Sequence, residues 1–217
     1  MKNKYVASKM GVVREGVPFI LGFGFVGFLW SPIAGFRWLA VVSVGLSIFS
    51  IYFFRDPQRR IPKGDSLIIA PADGRIMEIS EEDCPYWPGP AKVVKIFLSV
   101  IDVHLQRAPI QGKIIENIYK KGKFLDARDP RASFENESNA IVIETKFGKI
   151  VVKQIAGLIA RRIISWVEPE LQVAAGEHIG LIRFGSQVDL FLPMDLEVNA
   201  RPGDVVVGGE TVIAGKK

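Results

Sequence analysis

The sequence predicts a mainly β protein of the α+β class, preceded by a pair of apolar helices. Two observations carry that prediction. Between Glu15 and Arg37, and again between Arg37 and Arg55, no charged side chain occurs. From Ile61 onward the chain changes to short runs of Val, Ile and Phe punctuated by Gly, Pro and Asp, the pattern of strands and turns. At 217 residues one ordinary domain and a modest appendage fit, so we expect an anchoring segment at 1–60 and a β-rich domain at 61–217. One cysteine and two histidines are too few for a disulfide framework or a Cys/His zinc site.

The first uncharged run, 16–30, breaks at Ser31-Pro32; the second, 38–54, is almost continuous Leu, Ala, Val, Ile and Phe. A bilayer span needs about 20 apolar residues, with a lower limit near 17, so the second run is just long enough and the first is marginal. A short hairpin crossing the bilayer and a pair of helices wedged into one leaflet both remain open. Lys2, Lys4, Lys9 and Arg14 precede the pair, and Arg55, Arg59, Arg60 and Lys63 follow it. Both flanks are therefore expected on the cytoplasmic face of the cell membrane, with Trp30, Trp38 and Tyr52 at the interface. Residues 1–60 hold eight Lys and Arg against two Asp and Glu, while 61–217 hold twenty against twenty-one. The net charge of +5 thus belongs to the membrane flank, and nucleic acid is not an expected partner.

Strands are expected at 66–70, 74–79, 91–98, 112–119, 139–145, 150–155, 178–184, 187–192 and 205–214, and a helical turn or two at 159–165. Segments 173–180 and 200–212 each place Gly at a turn before a β run. Such units are typical of folded-over β-sheets, including the lipoyl-like hybrid barrel of lipoyl and biotinyl carriers. A membrane-anchored adaptor or carrier without enzymatic activity is therefore the alternative function. It requires a modifiable lysine at a tight hairpin tip or a long helical hairpin between barrel halves, and neither is found.

Three spots combine reactive groups with turn formers: Asp73 in Ala72-Asp73-Gly74, the segment from Asp102 through His104 to Arg107, and Arg183-Phe184-Gly185-Ser186. A general base titrating near neutral pH is His104 or His178 unless another group is strongly shifted. His178 follows the turn-like Ala175-Gly176-Glu177 and is read as solvated. Cys84 has no His or second Cys near it in sequence and is given no role. Gly185-Ser186 lacks the G-x-S-x-G elbow of a hydrolase. Glycine does, however, leave its carbonyl sterically open to the next hydroxyl, as an intein-like backbone rearrangement requires.

The order of the Asp73 turn, Asp102-Val103-His104, the run Gln154-Ile155-Ala156-Gly157-Leu158-Ile159-Ala160-Arg161-Arg162-Ile163, and the late Phe184-Gly185-Ser186 resembles the short form of the phosphatidylserine decarboxylase family over nearly the whole chain. The resemblance implies a self-cleaving proenzyme. Ser186 Oγ attacks the Gly185 carbonyl, and β-elimination then yields chains 1–185 and 186–217, with a pyruvoyl group at position 186 and no metal. It further implies a Schiff base between that group and phosphatidylserine, loss of carbon dioxide, and release of phosphatidylethanolamine in phospholipid biosynthesis. By the same resemblance Asp73 orients the imidazole that deprotonates Ser186, His104 is the proton donor in decarboxylation, and the processed chains form a homodimer. Long-form members carry a second histidine where Arg107 stands here. Either His104 serves both steps or Arg107 binds the lipid phosphate or carboxylate. Diacyl and ether lipids share this headgroup chemistry, and a soluble amino acid would need no apolar pair.

Overall fold

The computed structural model describes residues 3–5, 11–158, 162–183 and 185–216. The chain divides into two compact units, one of Val6–Gln58 and one of Met1–Tyr5 with Arg59–Lys217.

In the first unit, helix α1 (Val17–Trp30) has a proline in its first turn, where a missing N–H costs nothing. It ends before Pro32, and Ser31 Oγ caps the Phe28 carbonyl at 2.8 Å. Helix α2 (Arg37–Phe53) returns antiparallel to it. Ser47 Oγ donates to the Ile20 carbonyl at 2.9 Å, and the Phe19 ring stacks on Phe54. Gly27 lies so close to α2 that an added Cβ would come within 3.3 Å of Val44 and 3.4 Å of the Ala40 carbonyl. The base of the pair is tied by Val13 N–H to Phe54 O and Asp56 N–H to Gly11 O, both 2.8 Å.

The polarity of this pair is the reverse of a water-soluble hairpin. Gly27, Ala40, Ser43, Ser47 and Ser50 are buried, while Leu21, Phe25, Phe28, Trp38, Val41 and Ile48 point outward. Small and hydroxyl-bearing residues between helices with apolar residues outside is the arrangement that suits a lipid surround. The helices are 14 and 17 residues long, and no helix among the described residues is long and apolar enough to cross a membrane.

The second unit contains strands β1 (Leu67–Ile69), β2 (Gly74–Asp83), β3 (Pro90–Leu98), β4 (Leu105–Arg107) and β5 (Gly112–Lys120). A single-turn helix α3 (Ala132–Glu135) leads to β6 (Ser138–Thr145), β7 (Gly148–Ala156), β8 (Ile163–Ser165), β9 (Gln172–Val173) and β10 (His178–Ile182). The chain finishes with β11 (Ser186–Leu192), β12 (Glu197–Val198), β13 (Val205–Val206) and β14 (Val212–Gly215). An eight-stranded antiparallel sheet runs β13-β2-β3-β11-β7-β6-β5-β9. Two three-stranded sheets, β1-β14-β12 and β4-β10-β8, accompany it.

Two expectations change. The strand expected at 205–214 is two strands, β13 pairing with β2 and β14 with β1, separated by the turn at Gly208 and Gly209. Residues 163–165, expected helical, form β8, because two successive isoleucines fit the edge of β10. Residues 159–161 and 184 of the expected elements lie outside the described residues.

Strand β11 alternates cleanly. Val188, Leu190 and Leu192 enter the main core with Ile96, Ile141 and Val152, while Phe191 packs on the other face with Val93, Val142 and Tyr86. Ser186 has the same parity as Val188, so its side chain faces the main core.

The outward apolar face of the helical pair predicts a simple test. A charge near the middle of such a helix costs about 3 kcal/mol in lipid. Val41→Glu with Ile48→Glu should therefore move the chain from the floating to the soluble fraction in vesicle flotation, with helix content retained by circular dichroism.

Candidate active site

Ser186 is the first residue of β11, paired with Leu98 of β3 on one side and Ala156 of β7 on the other. Its hydroxyl is fully buried and has no hydrogen-bond partner among the described residues. Leaving such a group unsatisfied in a protein interior costs about 1–3 kcal/mol. Gly185 before it has φ +72°, a region L side chains rarely adopt, and an added Cβ there would meet open space. The need for glycine at 185 thus lies in the backbone. At Gly157 the need is steric: an added Cβ would lie 2.6 Å from the Gly185 carbonyl oxygen and 3.2 Å from its carbon.

His104 is completely buried. Its Nδ1 lies 2.9 Å from the Asp102 carbonyl, and Gly185 N–H donates to Nε2 at 3.0 Å. A carbonyl can only accept, so the ring proton sits on Nδ1 and the basic lone pair points at the Gly185 peptide. Asp102 spends its carboxylate on the turn itself, accepting Ser99 N–H at 2.7 Å.

Beside Gly185 opens a cleft of about 280 Å³, walled by Phe97, Leu98, Val100, Ala127 and Leu158. Arg128 borders it with an exposed guanidinium that chelates Asp126 through Nε and Nη2 at 3.0 and 2.7 Å. Those bonds hold the Asp126 carboxyl down at about 2.

Comparison with known proteins places these features in a family. The sequence model described as phosphatidylserine decarboxylase matches residues 46–214, well over half of the chain. A phosphatidylserine decarboxylase proenzyme of Geobacter metallireducens is 42% identical over 211 residues, covering 95% of this chain and 97% of that protein. The proenzyme of Citrifermentans bemidjiense is also 42% identical, over 93% of this chain and 95% of its own. The chain belongs to the phosphatidylserine decarboxylase family. It is accordingly a lyase of the decarboxylase type, and none of these relatives carries the name of an adaptor or carrier.

Within this decarboxylase the structure brings together Ser186, Gly185 and His104, but not Asp73 or Arg107. The Asp73 carboxylate receives Arg59 Nη2 at 3.0 and 2.7 Å and the Gly208 N–H at 2.8 Å, and makes no bond to the imidazole. The contact on His104 Nδ1 is the Asp102 carbonyl. Arg107 is buried on β4 and gives Nη1 to the Gly176 carbonyl at 3.0 Å; the guanidinium bordering the cleft is that of Arg128. His178 is not simply solvated: its ring stacks on Tyr5 at 4.0 Å, and its carbonyl accepts from Asn3.

Sequence reasoning missed Gly157, the cleft and Arg128. Gly157 stood inside the quoted 154–163 run, but nothing local showed that its missing side chain faces another backbone 28 positions later. It also missed a buried carboxylate on the opposite face of β11. Burial pushes Asp189 up to about 6, against hydrogen bonding from Gln187 and the nearby Lys153. Burial likewise lowers Lys153, whose ammonium donates to the Ser133 carbonyl.

For Asp189 the folded pKa lies above the ordinary aspartate value of 3.8, so the native state binds the proton more tightly than the unfolded chain. Its contribution favours folding below about pH 4 and is lost as pH rises through about 6. Asp189→Asn should therefore raise the melting temperature at pH 7, by up to about 3 kcal/mol in stability, and flatten the melting profile between pH 4 and 7. Thermal melts across that range check both effects.

Proposed function

We propose that this chain cleaves itself between Gly185 and Ser186 and then decarboxylates phosphatidylserine to phosphatidylethanolamine. One observation carries the reading: a buried Ser186 hydroxyl, without a hydrogen-bond partner among the described residues, follows a left-handed glycine whose N–H donates to His104 Nε2 at 3.0 Å.

In the first step Ser186 Oγ bonds to the Gly185 carbonyl carbon as the peptide C–N bond breaks, and the nitrogen keeps its proton and gains the one lost by Oγ. His104 Nε2 exchanges its bond from Gly185 N–H to Ser186 Oγ–H and carries that proton across. Loss of the Ser186 Cα proton then expels the Gly185 carboxylate. Water hydrolyses the remaining dehydroalanine, releasing ammonia and leaving the pyruvoyl group on 186–217.

The site fits such a group. It is made from residue 186 itself, next to Gly185, which lines the cleft and has no atom of the described residues within 4 Å of where a Cβ would lie. A pyruvoyl group supplies a keto carbonyl that takes up a primary amine and accepts the electron pair left by departing carbon dioxide. The apolar walls exclude water from that charge movement, and His104 Nε2 holds the proton that replaces the carboxylate. Arg128, exposed at the cleft, meets the lipid phosphate in the role first assigned to Arg107. The helical pair holds the chain in the cell membrane with its basic flanks toward the cytoplasmic face, and the processed protomers pair as a homodimer.

Intact-mass measurement should find chains 1–185 and 186–217, the smaller blocked to amino-terminal sequencing, and both co-purifying because β11 is hydrogen-bonded to β3 and β7. Ser186→Ala should remain a single inactive chain and His104→Ala should lose decarboxylation. A single unmodified chain in an active wild-type preparation would refute the reading.

Gly157→Ala should slow cleavage about tenfold or more by displacing the Gly185 carbonyl, an effect followed as band splitting on a denaturing gel. Cleavage at the wild-type rate in a folded Gly157→Ala chain would show that this contact does not position the carbonyl.

A further inference from the structure

His104 and Ser186 are placed by different sheets. Ser186 opens β11 in the eight-stranded sheet, and His104 immediately precedes β4 in the three-stranded sheet β4-β10-β8. Between the sheets lies apolar packing, which is non-directional and does not by itself fix one sheet against another to a few tenths of an ångström. Through that packing runs a single file of amides. Asn139 of β6 donates Nδ2 to Gln154 Oε1 at 3.1 Å, and Gln154 of β7 donates Nε2 to Gln106 Oε1 at 2.8 Å. Gln106 of β4 then donates Nε2 to the His104 carbonyl at 2.9 Å.

Gln106 and Gln154 are fully buried and Asn139 nearly so, which makes each amide costly unless bonded. These three donor steps run toward His104, and Gln154 Nε2 also reaches the Ile164 carbonyl of β8 at 3.5 Å. The fold makes room for the file: an added Cβ on Gly180 would lie 2.5 Å from Gln154 Nε2 and 2.6 Å from the Ile164 carbonyl. The His104 carbonyl also accepts Ile182 N–H at 3.2 Å, so both of its bonds come from the three-stranded sheet, and the bond from Gln154 to Gln106 ties that sheet to β7 of the larger one. Gln154 lies directly opposite Val188 on β11, two residues beyond Ser186.

We infer that Gln154 and Gln106 are positioning residues for self-cleavage. The amide file stitches the sheet that bears the Ser186 nucleophile to the sheet that bears the His104 imidazole, and so sets the distance over which the proton moves. This rests on the functional reading above. The stitch touches neither the substrate nor the reacting atoms and acts only through the placement of His104.

Two variants test it in the full-length chain. Gln106→Leu with Gln154→Leu nearly keeps the volume and removes both ends of the central bond, while leaving Asn139 Nδ2 without its acceptor at a cost of about 1–3 kcal/mol. Cleavage should slow at least tenfold, by intact mass over time, in a chain that melts as a single folded species. The second variant, Gln154→Glu, makes the stitch titratable. A protonated carboxyl can donate to Gln106 Oε1, whereas its anion cannot. Its cleavage should be near wild type at pH 5 and fall at least tenfold by pH 8, a decline that wild type and Gln154→Leu lack. If the double leucine variant does not fold, the pH profile of Gln154→Glu decides alone. Wild-type cleavage rates in the folded double variant, or a Gln154→Glu profile parallel to wild type, overturn the inference. A wild-type chain that itself stays uncut means that the functional reading has failed, whatever these variants do.

Discussion

Strand β11 is hydrogen-bonded along both edges, to β3 over residues 186–192 and to β7 over 186–191, and the rest of the reactive region is arranged around that clamp. A central antiparallel strand is among the least mobile parts of a small domain, since its backbone groups are satisfied on both sides and its side chains are buried on both faces. Placing Ser186 at its first position gives the hydroxyl a fixed origin. Gly185, one residue earlier, is where the ladder stops and the backbone enters the left-handed region. A rigid nucleophile thus abuts a carbonyl held in an uncommon backbone state.

Around this origin the structure relies on missing atoms as much as on present ones. Gly157 admits the Gly185 carbonyl, and Gly180 admits the Gln154 amide. Each permits a close approach between backbone and a polar group that any larger residue would block. Hydrogen bonds then orient what the glycines admit. The tautomer of His104 follows from two backbone groups, the Asp102 carbonyl and the Gly185 N–H. Nδ1 thus meets a main-chain carbonyl that accepts the ring proton and points Nε2 toward Gly185.

Much of this was legible in the residues. The uncharged runs located α1 and α2, and the alternation of Val, Ile and Phe located the long strands, because burial on a defined face leaves a period in the sequence. Ser186 and His104 were legible through scarcity and motif order. Short strands such as β4, β9 and β12 carry too few residues to show a period. The surroundings of Asp73 were not legible for a different reason: its carboxylate is paired with Arg59, fourteen residues earlier, and local sequence does not reveal which of several cations closes on an anion. Arg128 and the Asn139-Gln154-Gln106 file were invisible because each depends on pairings between distant strands.

The inverted polarity of the helical pair means that stability is not a single quantity for this chain. The β unit is held by the burial of apolar side chains from water, a term that urea weakens and that carries a large heat capacity. Helices α1 and α2 meet through Gly27, Ala40 and three serines, and turn their large apolar side chains outward, so water does little to press them together. Their cohesion depends on whether the surrounding medium is lipid, detergent or buffer. Denaturant should report on one unit and detergent on the other, and a two-state treatment of the whole chain would average two different solvents into one number.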